Sequence, residues 1–223
     1  IQLKKNFTGI YHLLGFDEPN ITQKIIIENG ALDSSEIINA NSFDINVVHS
    51  KDLKFDGKSA GIFIDKNNEI IFFGQQGYII RNKTVKKIDL TDSYTPEKNG
   101  GLKGVFFINN NPFGLISSRS VNCYKSSIIS LKDNHKLFET KCIPDDNIID
   151  FNGLGGANVI KDNHLYLALG APEAVSNEIR NLAQNDDSYY GKILKININE
   201  FSKKNIRNIE IYSKGHRNPQ GLI

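Results

Sequence analysis

Residues 61–73 read Gly-Ile-Phe-Ile-Asp-Lys-Asn-Asn-Glu-Ile-Ile-Phe-Phe. A glycine opens a short apolar run, a polar Asp-Lys-Asn-Asn-Glu stretch interrupts it, and a second apolar run follows. Runs rich in Ile, Phe, Val and Tyr between Asn/Asp/Gly/Lys clusters are the pattern of strands joined by turns. The unit recurs. Residues 104–116 read Gly-Val-Phe-Phe-Ile-Asn-Asn-Asn-Pro-Phe-Gly-Leu-Ile, and residues 156–168 read Gly-Ala-Asn-Val-Ile-Lys-Asp-Asn-His-Leu-Tyr-Leu-Ala. Gly61, Gly104 and Gly156 are 43 and 52 residues apart. A hairpin returning every ~40–50 residues has the period of a β-propeller blade. A β-sandwich is also built from hairpins, but it does not require the same internal pattern three times at this spacing. The pattern therefore predicts an all-β chain holding about three to four propeller blades.

One stretch departs from it. Glu173–Gln184, Glu-Ala-Val-Ser-Asn-Glu-Ile-Arg-Asn-Leu-Ala-Gln, reads either as a short helix in a long inter-strand excursion or as a surface loop. Long excursions of this kind carry binding residues on many scaffolds.

Bulk composition excludes several classes. Of 223 residues, 39% are hydrophobic and 23% charged, which fits a globular chain with a core. A net charge of +2 without a basic run gives no footprint for nucleic acid. No apolar stretch reaches the roughly 18 residues of a membrane span. There is no methionine, and the chain runs from Ile1 to an apolar Gly221-Leu222-Ile223, which reads as a piece of a longer protein. Cys123 and Cys142 show no metal-ligand spacing; they are either a disulfide, if the protein is exported, or two separate buried thiols. Asp145-Asp146 and Asp186-Asp187 follow no calcium-loop spacing and read as solvated loop carboxylates. No metal ligand is assigned.

The most specific segments lie late in the chain. Tyr189-Tyr190-Gly191-Lys192-Ile193-Leu194-Lys195-Ile196-Asn197 is followed by Ile209-Glu210-Ile211-Tyr212-Ser213-Lys214-Gly215-His216-Arg217-Asn218-Pro219-Gln220-Gly221-Leu222. The pair resembles the glucose/sorbosone dehydrogenase family, soluble propeller enzymes that use pyrroloquinoline quinone (PQQ) with calcium. Its Gly-Lys-hydrophobic-Leu-Arg strand precedes a Gly-His-Arg-Asn-Pro-Gln-Gly stretch, matched here without interruption from Gly215. Leu165–Gly170, Ala183-Gln184-Asn185 and Gly100–Gly104 resemble further elements of the family. The resemblance covers about residues 55–223. Residues 51–223 are accordingly read as part of a six-bladed propeller, and residues 1–50 stay unassigned, with the strands of a first blade as the expectation.

The resemblance implies PQQ-dependent oxidation of an aldose or related sugar, with an external electron acceptor, in the periplasm or outside the cell. It implies that Arg217 and Asn218 contact the cofactor. A planar guanidinium suits the carboxylates and quinone oxygens of PQQ, while His216 is expected to hold a structural corner. Asn99 is a weaker candidate, at a place where the glucose-oxidising branch carries a glutamine near the substrate.

The chain also departs from the family. The family's base histidine precedes a glycine pair, and that position falls here on Asn152 or Gly153, with Ala157 in place of the following arginine. Asparagine accepts no proton at useful pH, and general-base help is worth about 10²–10⁴ in rate. His135 and His164 adjoin Asp-Asn turns and are expected to be solvated. The alternative function is therefore a non-catalytic propeller binding a carbohydrate or protein ligand.

Overall fold

The structure, a computed structural model, describes residues 35–40, 43–48, 59–64, 69–81, 84–90, 100–120, 123–144, 155–174 and 176–222. It divides into two units, Ile1–Phe55 and Asp56–Ile223. In the first, the described residues form one antiparallel hairpin, β1 (Ser35–Ala40) with β2 (Phe43–Val48), closing at Ala40 opposite Phe43.

The second unit holds three antiparallel sheets. The first has the order β3 (Ser59–Ile64), β4 (Ile70–Gly74), β5 (Tyr78–Arg81), β6 (Thr84–Lys87). The second runs β7 (Gly101–Ile108), β8 (Asn111–Ser120), β9 (Cys123–Ser130), β10 (Lys136–Glu139), with the short β11 (Ile143–Pro144) also paired to β9. The third runs β12 (Gly155–Lys161), β13 (His164–Leu169), β14 (Lys192–Asn197), β15 (Ile209–Lys214). Each is an up-and-down meander whose strands follow in chain order, the build of a propeller blade. The three repeated sequence units are the hairpins β3–β4, β7–β8 and β12–β13.

Local chemistry explains the turns. Asn109 and Asn110 between β7 and β8 have φ of 49° and 63°, and Asp162 and Asn163 between β12 and β13 have 48° and 60°. Two consecutive left-handed residues make the tight turn whose twist suits a hairpin, and Asn and Asp tolerate that region best among non-glycine residues. The Asn/Asp punctuation of the sequence is thus a backbone requirement.

The middle sheet is apolar on both faces, because successive strand residues point to opposite sides. Val105 packs with Phe73, Leu102, Ile116 and Ile129 toward the first sheet. Its neighbour Phe106 packs with Leu115, Tyr124, Leu165, Leu167 and Ile196 toward the third. Edge-to-face rings fix both layers, Phe63 against Phe107 at 4.9 Å and Phe113 against Phe201 at 5.0 Å. The outer sheets are covered on one face. On the other, the first shows Ile62, Ile64, Ile70 and Val85, each more than half exposed, and the third shows Tyr212 against Tyr166.

Two close approaches join the sheets. A Cβ built on Gly104 of β7 would stand 2.2 Å from the carbonyl oxygen of Gly156 in β12. Asn158 Nδ2 donates to Val105 O at 3.1 Å across the same seam. Between the first and second sheets, Leu102 N donates to Gln75 O at 2.8 Å, and the Gln75 side chain donates to Gly100 O. The β7 start, the β4–β5 turn, the β12 start and the β13–β14 excursion therefore gather at one end of the stack.

The excursion contains the short helix that was one of its two readings: α1 (Asn177–Arg180) continues into a 3-10 turn at Asn181–Ala183. Cys123 and Cys142 are disulfide-bonded, with Cα atoms 5.5 Å apart, and the bond ties the β11 segment to the start of β9 at this same end. Among the described residues no helix is long and apolar enough to cross a membrane.

Candidate functional site

The chain after β15 closes that end, and its path follows from backbone hydrogen bonds. Gly215 has φ of +90°, a conformation that costs glycine little, and turns the strand into the loop. Gly215 N donates to Ala183 O at 3.1 Å, and His216 N donates to Gly191 O at 3.0 Å. Arg217 O then accepts from Ala171 N at 2.9 Å. Gly155, with φ of +69°, lies under the same loop, where a Cβ would meet Pro219 O at 3.1 Å. The loop is pinned to the two ends of the β13–β14 excursion and lies against the start of β12.

On this frame Arg217 stands 75% exposed, and its Nη2 donates to Glu173 Oε1 at 2.8 Å. Among the described residues its Nε and Nη1 have no hydrogen-bond partner. Asn218 Oδ1 accepts from Gln220. His216 is held at its ring, Nε2 lying 2.7 Å from Ser213 Oγ. Glu173 was not singled out in the sequence. It lies 44 residues before Arg217, and no local pattern links a loop glutamate after a proline to a distant arginine.

Behind the loop sits a buried cation. Lys192, fully buried at the start of β14, donates from Nζ to the carbonyls of Leu182, Ala183 and Tyr190, each at 2.9 Å. Burial pushes its ammonium pKa down, with Lys214 adding repulsion while Asp186 opposes the shift. Asp186 itself is held below the usual carboxylate range by the hydrogen bond from Lys214 Nζ at 2.7 Å. Nearby, Tyr190 is buried with its hydroxyl 2.8 Å from Thr140 Oγ1, and burial pushes the phenol up to about 12.

Other candidates fall elsewhere. Asn99, Asn152 and Gly153 lie outside the described residues, as do Asp145 and Asp146; the neighbours Gly100 and Gly155 are at the loop end. Asp187 closes a small turn, its N–H donating to Asn185 Oδ1 at 2.8 Å. His135 and His164 are at the opposite end, bonded to Lys204 O and Asp162 O. Among the described residues no group of three or more His, Cys, Asp or Glu side chains could hold a metal ion. A hollow of about 710 Å³ lined by Tyr166, Tyr212, His216, Pro219 and Leu222 lies beside the loop on the outer face of the third sheet, and neither Arg217 nor Glu173 lines it.

The pieces brought together are thus one partly free guanidinium, one carboxylate and a side-chain amide on a fixed backbone. A guanidinium presents its donors in one plane, a geometry suited to planar oxygen groups, and here Glu173 takes part of that capacity.

Comparison with known proteins bears on this geometry. Residues 124–223, which take in β9 from its second residue, β10 to β15 and the whole loop, match the family model described as Glucose / Sorbosone dehydrogenase. Among solved structures the chain is similar to an oxidoreductase (glucose dehydrogenase) of Thermus thermophilus, with a TM-score of 0.50, 17% identity, and 74% of this chain and 54% of that one covered. It is also similar to the PQQ-bound form of an aldose sugar dehydrogenase from Streptomyces coelicolor, with a TM-score of 0.50, 18% identity, and 74% and 52% covered. The chain spans about half the length of both, and at these identities the likeness is one of fold. No curated protein matches.

Proposed function

From the match of residues 124–223 to the Glucose / Sorbosone dehydrogenase family, we propose that the full protein carries out PQQ-dependent oxidation of an aldose or related sugar. The observation that carries the reading is Arg217. It stands exposed on a loop pinned at three backbone points, with two nitrogens unpartnered among the described residues.

PQQ is a tricarboxylic ortho-quinone, and these donors fit one of its anionic oxygen groups. Arg217 would bind that group, and Asn218, one residue on, would orient it through its amide. When bound, the cofactor supplies the two-electron acceptor that an alcohol oxidation needs. Calcium belongs to the proposal by resemblance only, and no described residue is assigned to it. The Cys123–Cys142 disulfide supports an oxidising compartment, the periplasm or the exterior.

One observation favours the second reading, a propeller that binds a carbohydrate or protein ligand without turnover. The base position falls on Asn152 or Gly153. His216, the histidine at this end among the described residues, is committed to Ser213. A proton acceptor must then come from another residue, or the chemistry is absent.

The test is a spectroscopic PQQ titration of the full-length protein with calcium, followed by a sugar panel with an artificial acceptor. Binding with sugar-dependent reduction supports the dehydrogenase, and binding without reduction means a cofactor site that has lost its chemistry. Arg217→Ala should weaken PQQ binding about tenfold to a hundredfold, the worth of a charge-assisted hydrogen bond pair. Failure of the wild-type protein to bind PQQ overturns the proposal.

A further inference from the structure

The loop that presents Arg217 has no hydrophobic anchor of its own. Its described residues from Gly215 to Leu222 are exposed or half-buried, so its position depends on what its backbone is tied to. Two of its ties converge on one junction. Gly215 N reaches Ala183 O, and His216 N reaches Gly191 O. Ala183 ends the 3-10 turn after α1, and Gly191 immediately precedes Lys192.

Lys192 closes the junction from inside. Its Nζ shares Ala183 O with Gly215 N and also takes the carbonyls of Leu182 and Tyr190. Two of these carbonyls lie at the end of a short helix, where each already accepts a backbone N–H, Leu182 O from Asn185 N at 3.2 Å and Ala183 O from Gly215 N at 3.1 Å, and the cation adds a second bond to each. Packing at the junction is close: Gly191 has φ of +72°, and a Cβ on it would stand 2.4 Å from Ala183 Cβ and 3.0 Å from His216 O. The aliphatic stem of Lys192 starts from the first residue of β14, which pairs Leu169 on one side and Lys214 on the other.

We infer that Lys192 is the positioning residue of the site: it locks the end of the helical excursion to β14, and through Ala183 O and Gly191 O it sets the loop that carries Arg217. The Glu173 end of the Arg217–Glu173 pair is tied separately, through Ala171. Glu173 stands in the excursion, close to Ala171, whose N–H donates to Arg217 O. Among the described residues no hydrogen bond joins Lys192 to Arg217. Lys192 acts by holding the backbone, in the way supporting groups behind a binding residue commonly do. Where this concerns cofactor, the inference rests on the proposal above; where it concerns loop position, it does not.

The experiment has two arms on the full-length protein. In the first, backbone hydrogen exchange is compared between wild type and Lys192→Met, a substitution that keeps the stem and removes the cation. The expected result is faster exchange at Gly215 and His216 with the β13–β14 amides still protected. Unchanged protection at Gly215 and His216 overturns the inference, whether or not any cofactor binds. In the second arm, PQQ with calcium is titrated into wild type, Lys192→Met, Arg217→Ala and the double variant. If Lys192 acts through Arg217, each single change weakens binding about tenfold or more, and Lys192→Met adds little in the Arg217→Ala background. Additive losses would mean general destabilisation and overturn it. Absence of PQQ binding in wild type sinks the proposed function and leaves the exchange arm to decide the lock. Lys192→Gln, which keeps a donor in the buried site, serves both arms should Lys192→Met not fold.

Discussion

Replacing Gly156 by alanine puts the packing of the innermost strands to a quantitative test. A Cβ there would stand 2.3 Å from Lys103 O and 2.6 Å from Lys103 C, while Gly156 itself sits at φ +97°. Both obstructing atoms are backbone, so no side-chain rotation relieves the clash, and β7 and β12 must separate. Adopting positive φ costs a non-glycine residue about 1–2 kcal/mol. Forcing extra volume into a packed seam costs about 1–3 kcal/mol more. The sum, about 2–5 kcal/mol, is a large share of the ~5–15 kcal/mol that holds a domain folded. In urea, with a slope of about 2 kcal/mol per molar, the unfolding midpoint should fall by about 1–2.5 M. Gly104→Ala meets the same seam from the other side, 2.2 Å from Gly156 O, without a positive φ, and so reports the steric part alone. The two changes strain one contact, so the double variant should lose less than the sum. Gly221→Ala is the control, since a Cβ there meets nothing within 4 Å. If Gly156→Ala unfolds within about 0.3 M of that control, the close approach is not what joins the second and third sheets.

Two other expectations follow from single contacts. Burial raises the Tyr190 phenol from 10.0 to about 12, so its contribution is complete below pH 10 and is lost as pH rises through about 12. The loss approaches about 3 kcal/mol; Tyr190→Phe should flatten that alkaline limb in denaturant titrations at pH 9 to 12, and an unchanged limb would refute the assignment. Reducing the Cys123–Cys142 bond, which closes a 19-residue separation, should lower stability by about 3 kcal/mol. The readout is the thermal midpoint with and without a dithiol reductant, against Cys123→Ser/Cys142→Ser as the reference that reduction should no longer move.

The strand and turn assignments were readable because their causes are local. Alternation of apolar residues sets strands, and paired Asn or Asp residues set the left-handed turns at 109–110 and 162–163. The repeat of Gly-strand-turn-strand located the innermost hairpin of each sheet. Sequence alone also marked Gly215 to Gly221, including Arg217, as the most distinctive loop. What it could not supply were contacts between residues far apart in the chain. That Cys123 and Cys142 pair, that Gly104 and Gly156 stand backbone to backbone, and that Glu173 meets Arg217 across 44 residues depend on how three sheets stack. Lys192 shows the limit best. As a sequence element it is a lysine in an amphipathic strand, where a solvated ammonium is the ordinary outcome. Only the fold, by bringing the carbonyl end of a short helix over β14, turns that charge inward and gives it three acceptors.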